Sequence, residues 1–115
     1  MRRQSETQQN SAPPPHFLAQ IKAIVREVVA DADVLLYGSR ARGTAHDDSD
    51  WDILVTTHEE VTASLKRAIR HRLYQLEWDT GQVISTMVYS RDGWNHTPGG
   101  ETPFRRRVRR DAILL

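Results

Sequence analysis

The sequence predicts a small α/β (α+β) domain, a mixed β-sheet flanked by helices, in the order helix, strand, turn, strand, helix, strand, helix. Three observations lead there. Apolar residues recur at helical spacing from Phe17 to Val29 and again from Val61 to Leu76. Short apolar runs, Val34 to Tyr37 and Trp51 to Thr56, have the length and composition of buried strands. A chain of 115 residues holds one such unit and no second module.

The elements follow in order. Met1 to Pro15 is polar, has no apolar period and closes on Pro13-Pro14-Pro15, so it is expected to be a disordered tail preceding a domain over residues 16–115. Phe17, Leu18, Ile21, Ile24, Val25, Val28 and Val29 form one helical face, in a helix running to about Ala30. Val34-Leu35-Leu36-Tyr37 is a strand stopped by Gly38, and Trp51 to Thr56 is a second, after a polar loop. Thr57 and Glu60 have the spacing of a capping box, so the long helix is expected to start there and bury Val61, Leu65, Ala68, Ile69, Leu73 and Leu76. Gln82 to Tyr89 reads as a third strand, rich in β-branched residues. Arg91 to Gly100 reads as irregular. Thr102-Pro103 is an N-cap and first helical position, opening a basic helix through Arg110 that ends in the apolar Ala112 to Leu115.

Composition narrows the chemistry. Sixteen Lys+Arg against 15 Asp+Glu leave a formal charge of +1, so the overall field gives no argument for a nucleic-acid or membrane partner. With no cysteine, disulfides, thiolate nucleophiles and cysteine-based metal centres are excluded. No apolar run approaches the roughly 18 residues that span a bilayer, and no signal-peptide segment opens the chain, so a cytoplasmic protein is expected.

The chemistry concentrates between Leu36 and Val55. A buried strand leads into Gly38, which lets the backbone approach a ligand closely, then into Ser39 at the start of a helical turn, a loop, and a strand with Asp50 and Asp52 at i and i+2. Two carboxylates on one face repel and have no place in an apolar core. A divalent cation between them resolves that, since hard ions such as Mg²⁺ take oxygen ligands and leave positions open for phosphate oxygens. The Gly38-Ser39 turn offers amides and a hydroxyl to the same phosphates.

These residues resemble the signature of the DNA polymerase β-like nucleotidyltransferase superfamily, Gly-Ser, ten residues, Asp-x-Asp. Residues 40 to 49 supply the ten, between Ser39 and Asp50-Trp51-Asp52. A fuller form matches at Gly38, Ser39, Ala41, Arg42, Gly43, Ala45, Ser49, Asp50 and Asp52, and is that of the minimal nucleotidyltransferases. The resemblance implies the nucleotidyltransferase fold, Gly38 and Ser39 on the triphosphate of ATP, and Asp50 and Asp52 as catalytic ligands of Mg²⁺. It also implies a third carboxylate on the neighbouring strand. There Gln82 to Tyr89 has no acid, Ser85 holds the acidic position, and Asp79 and Glu77 lie just before it. Relatives of this size often sit beside a HEPN toxin, some adenylylating it. A protein hydroxyl on such a toxin is therefore the implied acceptor, and a contact-only antitoxin the alternative.

Other residues carry weaker signals. Arg42 either braces the loop or touches phosphate, with equal weight. Asp47 and Asp48 read as loop carboxylates. Arg105, Arg106, Arg107, Arg109 and Arg110 read as a solvated helix face before an RNA-binding patch. His16, His46, His58, His71 and His96 have no ligand spacing, and Trp51, Trp78 and Trp94 read as packing residues.

Overall fold

The computed structural model describes residues 16–96 and 100–115, so the expected tail, Met1 to Pro15, and part of the 91–100 segment lie outside the described residues. Among the described residues nine elements follow one another: α1 (Phe17–Val28), β1 (Asp33–Tyr37), α2 (Ser39–Arg42), β2 (Trp51–Thr57), α3 (Ala63–Thr80), β3 (Ile84–Ser90), α4 (Arg91–Asn95), α5 (Pro103–Asp111) and β4 (Ile113–Leu114). The strands form one mixed sheet in the order β3-β2-β1-β4. β1 runs antiparallel to β2 and β4, whereas β2 and β3 are parallel.

The alternation along each strand sorts the sheet into two faces. Val34, Leu36, Trp51, Ile53, Val55 and Ile84 turn to one face, where they are buried against Phe17, Ile21 and Val25 of α1 and Ile69, Leu73 and Leu76 of α3. Tyr37, Asp52 and Ser85 turn to the other, aligned across the three strands by the pairings Tyr37↔Asp52 and Asp52↔Ser85. That second face is closed beyond Asp52 by an aromatic chain, Tyr37 on Phe104, Phe104 on Trp94 and Trp94 on Tyr89, with centroids 5.8, 6.4 and 5.2 Å apart. Among the described residues no helix is long and apolar enough to cross a membrane.

Four expectations are corrected. Thr57 does not cap a helix: it ends β2, and its hydroxyl donates to Asp31 Oδ1 at 2.6 Å while accepting from the Glu59 amide at 3.0 Å. The helix starts six residues later, where Thr62 Oγ1 accepts from the Leu65 amide at 3.0 Å, so Val61 precedes it and Ala68 falls on its exposed side. β3 begins at Ile84 because Gln82 is drawn inward to accept from the Trp51 indole at 2.9 Å. The 91–100 segment is not wholly irregular: α4 forms at once after β3, with Ser90 Oγ accepting from the Gly93 amide at 2.9 Å. The apolar C-terminus contributes a strand that the sequence did not announce, β4, which pairs with β1. The Thr102-Pro103 start of α5 is as expected, with Thr102 Oγ1 accepting from the Arg105 amide at 3.2 Å.

Candidate active site

The turn after β1 is shaped by one glycine. Gly38 has φ +77° and ψ −159°, a conformation open to glycine alone, and a Cβ placed on it would lie 2.2 Å from Asp52 Oδ2. The backbone therefore passes directly over a carboxylate. The antiparallel pairing of Tyr37 with Asp52 ends β1 at this carboxylate, and the chain leaves the strand at Gly38 across it. Ser39 opens α2, whose turn is closed by Ala41 and Arg42 amides on Gly38 O, both at 3.1 Å, and is ended by Gly43 at φ +80°.

The loop between the two strands is held by its own residues. Arg40 donates to Ser49 O at 3.0 Å and to Asp47 O at 3.1 Å, and its guanidinium lies 4.3 Å over the Trp51 ring. Ser49 Oγ accepts from the His46 amide at 2.8 Å. These contacts deliver the chain to Asp50 and Asp52 with Trp51 turned inward, edge-on to Phe17 at 5.1 Å. Asp47 and Asp48 are exposed on the loop, and Asp50 is exposed at the mouth of the strand.

Asp52 is half-buried, and its carboxyl is pushed above the usual carboxylate range, first by burial and then by the charge of Asp50, against a smaller opposing pull from Arg42. Burial and the neighbouring Asp52 push the Tyr37 phenol up as well. A carboxyl raised in the folded state stabilises below its unfolded pKa, and that contribution is lost as pH rises through the folded value. The paired carboxylates therefore cost stability at neutral pH in the free protein. Asp52→Asn should melt above the parent at pH 7 in chelator, with the gap closing below about pH 4. Adding Mg²⁺ should raise the parent and leave the variant unmoved; a variant no more stable than the parent in chelator would contradict this account.

Of the remaining candidates, the Arg42 guanidinium pairs with Asp111 at 3.2 Å, tying α2 to the end of α5. Sequence reasoning missed Asp111, since 69 residues separate the two. It also missed Tyr37, hidden in an apolar run yet on the same sheet row as Asp52. The two acids offered as a third carboxylate are engaged elsewhere. Glu77 Oε2 accepts from the Ile84 amide at 2.7 Å and Asp79 accepts from Gln75 at 3.1 Å, both on α3, which covers the opposite face of the sheet. Ser85, the register partner of Asp52, occupies that position instead, and among the described residues no third His or carboxylate joins Asp50 and Asp52. In the basic run, Arg105 is only 6% exposed and stacks 4.3 Å over Trp94, Arg109 pairs with Glu101 and Arg110 with Asp111. Trp78 does not pack into the core: it is 70% exposed and its ring meets only that of Tyr74 among the described aromatic pairs.

Residues 18–94 match the family model described as a nucleotidyltransferase domain. The chain belongs to that family. The fold of this nucleotidyltransferase is shared with solved structures. One is a toxin–antitoxin with AMP-PNP, at TM-score 0.60 and 16% identity over 84% of this chain and 69% of that one. Another is a mutant of the toxin–antitoxin MntA-HpeT, at TM-score 0.59 and 17% identity over 85% and 70%. At that identity the likeness is one of fold. Among curated proteins none matches the chain.

Proposed function

We propose that this nucleotidyltransferase transfers AMP from ATP, with Mg²⁺, to a hydroxyl of a protein acceptor, as the antitoxin partner of a HEPN toxin. The observation that carries the nucleotide reading is the approach of the Gly38 backbone to Asp52, a cradle that any Cβ would fill. The donor set fits a hard cation, since Asp50 and Asp52 offer only carboxylate oxygens on one face, and Asp52 is held above its usual range until positive charge arrives. Asp50 and Asp52 would hold the Mg²⁺, which when bound neutralises phosphate charge and orients the reacting oxygens.

The chain's own residues do the rest. The Ser39 hydroxyl and the first amides of the α2 turn, those of Ser39 and Arg40, bind the triphosphate, while the Arg42–Asp111 pair and the Arg40 clamp fix the loop between turn and carboxylates. The acceptor hydroxyl oxygen bonds to the α-phosphorus as the bond to pyrophosphate breaks, and the hydroxyl proton leaves to solvent. The toxin–antitoxin structures that share the fold support a protein acceptor. The position of Ser85 favours one second reading, a nucleotide-binding antitoxin that acts on its partner by contact alone.

Calorimetry separates site from chemistry. ATP should bind with Mg²⁺ and not in chelator, and an Asp50→Asn/Asp52→Asn double variant should lose that binding while keeping its fold. Equal affinity in chelator would refute the metal assignment. Transfer of label from α-labelled ATP to the product of the neighbouring gene tests the acceptor.

A further inference from the structure

Among the described residues β3 is an edge strand, paired with β2 alone. In a parallel pair, the amide and carbonyl of one residue point the same way, and alternate residues point oppositely. The Trp51 amide donates to Val83 O at 2.8 Å, so Val83, Ser85 and Met87 face β2 while Ile84, Thr86 and Val88 face outward. The outward groups of Ile84 are already closed by α3, its amide by Glu77 Oε2 at 2.7 Å and its carbonyl by Arg70 at 3.1 Å. Among the described residues no backbone partner closes those of Thr86 and Val88. A row of open donors and acceptors on an edge is a template for another strand.

α3 runs antiparallel to β3 and forms a wall along this edge, so three concavities follow one another down the strand. The first, about 500 Å³, is apolar: Tyr74, Trp78 and Val83 line it and are 52, 70 and 53% exposed, with the two rings packed edge to face. The second, about 300 Å³, lies beside Thr86 to Tyr89 and has Lys66 and Arg70 as its charged wall. The third, about 400 Å³, lies past Ser90 and is polar, its three acids Glu59, Glu60 and Asp92 outnumbering Arg91 beside His58. Exposed large rings beside an open strand edge form an apolar patch of the kind that marks interaction sites.

We propose that this edge takes up an extended segment of a partner protein as an added strand, its acidic side chains set against Lys66 and Arg70 and an apolar side chain seated at Tyr74, Trp78 and Val83. Charge selects that occupant. In a chain whose overall charge is +1, the middle of the groove is locally basic and calls for carboxylates. A second copy of this chain is disfavoured by the same charges: antiparallel pairing of two β3 edges brings Lys66 and Arg70 of each copy together at the centre and sets the apolar end of one against the acidic end of the other. Backbone pairing gives the affinity and the two wall regions the selectivity. The surface lies on the α3 side of the sheet, independent of the cleft at Asp52, so its test requires no nucleotide.

The test uses the isotope-labelled full chain and a synthetic octapeptide of alternating valine and glutamate with leucine at both ends, which accommodates either strand direction. Saturable shifts should appear at the Thr86 and Val88 amides, with slowed hydrogen exchange there. Lys66→Glu/Arg70→Glu should weaken binding tenfold or more, and a peptide with lysine for glutamate should not bind. Thr86→Pro, tolerated on an edge, removes an outward donor and should abolish binding; if it fails to fold, the charge reversal still decides. No shifts at the edge with millimolar peptide, equal binding of the lysine peptide, or indifference to the charge reversal would each overturn the proposal. So would a dimer of the free chain in sedimentation that Thr86→Pro dissolves, which would give the edge to a second copy.

Discussion

Gly38→Ala is expected to lower the melting temperature by on the order of 10 °C and to abolish binding of ATP with Mg²⁺. Two costs add. Holding a non-glycine residue at φ +77° and ψ −159° costs roughly 1–3 kcal/mol, and a domain of this size loses about 4–8 °C per kcal/mol. The new methyl would also sit 2.2 Å from Asp52 Oδ2, a distance that real Cβ atoms do not show, so turn or carboxylate must move. Either movement separates the turn from Asp52, the groups proposed to hold phosphate and metal. The two costs are separable by a double variant: Asp52→Ala in the Gly38→Ala background removes the clash and should recover part of the stability, with none of the binding. An unchanged melting temperature together with unchanged ATP affinity would show that Gly38 does not form the cradle.

That turn was legible in the sequence because its chemistry is encoded over a short span. Ser39 and Asp50 lie at the two ends of one connection between neighbouring antiparallel strands, and the register Tyr37↔Asp52 makes both ends of the motif meet. The helix from Phe17, the strands at Val34 and Trp51 and the Thr102-Pro103 cap were readable for the same reason, each carrying its own period or end signal. What escaped depends on residues far apart in the chain. The Thr57 hydroxyl was captured by Asp31, 26 residues earlier, and a local capping pattern could not compete with that partner. β4 is two residues long and exists only because β1 offers an edge. The partner of Arg42 was out of view until the fold brought Asp111 beside it. The charged wall and exposed rings along β3 are likewise products of α3 lying antiparallel to that strand. Periodicity shows that a helix has a polar side, but not what that side overlooks.

Ser85→Asp is expected to raise the rate of transfer, and the register is the reason. The resemblance to the superfamily calls for a third carboxylate on the strand beside the Asp50/Asp52 pair. The pairing Asp52↔Ser85 in a parallel ladder sets the two side chains next to each other on one face. A carboxylate introduced there would take the proton from the attacking hydroxyl and add a ligand for the cation. General-base assistance is worth about 10²–10⁴-fold, which sets the size of the gain. The cost falls on the free protein, because a third negative charge joins two that already repel, with Asp52 already raised by burial and Asp50. In chelator the variant should therefore melt below the parent, and Mg²⁺ should close that gap. Asp79→Asn should leave the rate unchanged, since Asp79 lies on α3 and is bonded to Gln75. Single-turnover transfer from α-labelled ATP to the acceptor measures the effect. A rate unmoved by Ser85→Asp, with Mg²⁺ restoring the variant's stability, would mean that the native site already has its base. No transfer by parent or variant, with ATP binding intact in both, would leave contact with the partner as this nucleotidyltransferase's mode of action.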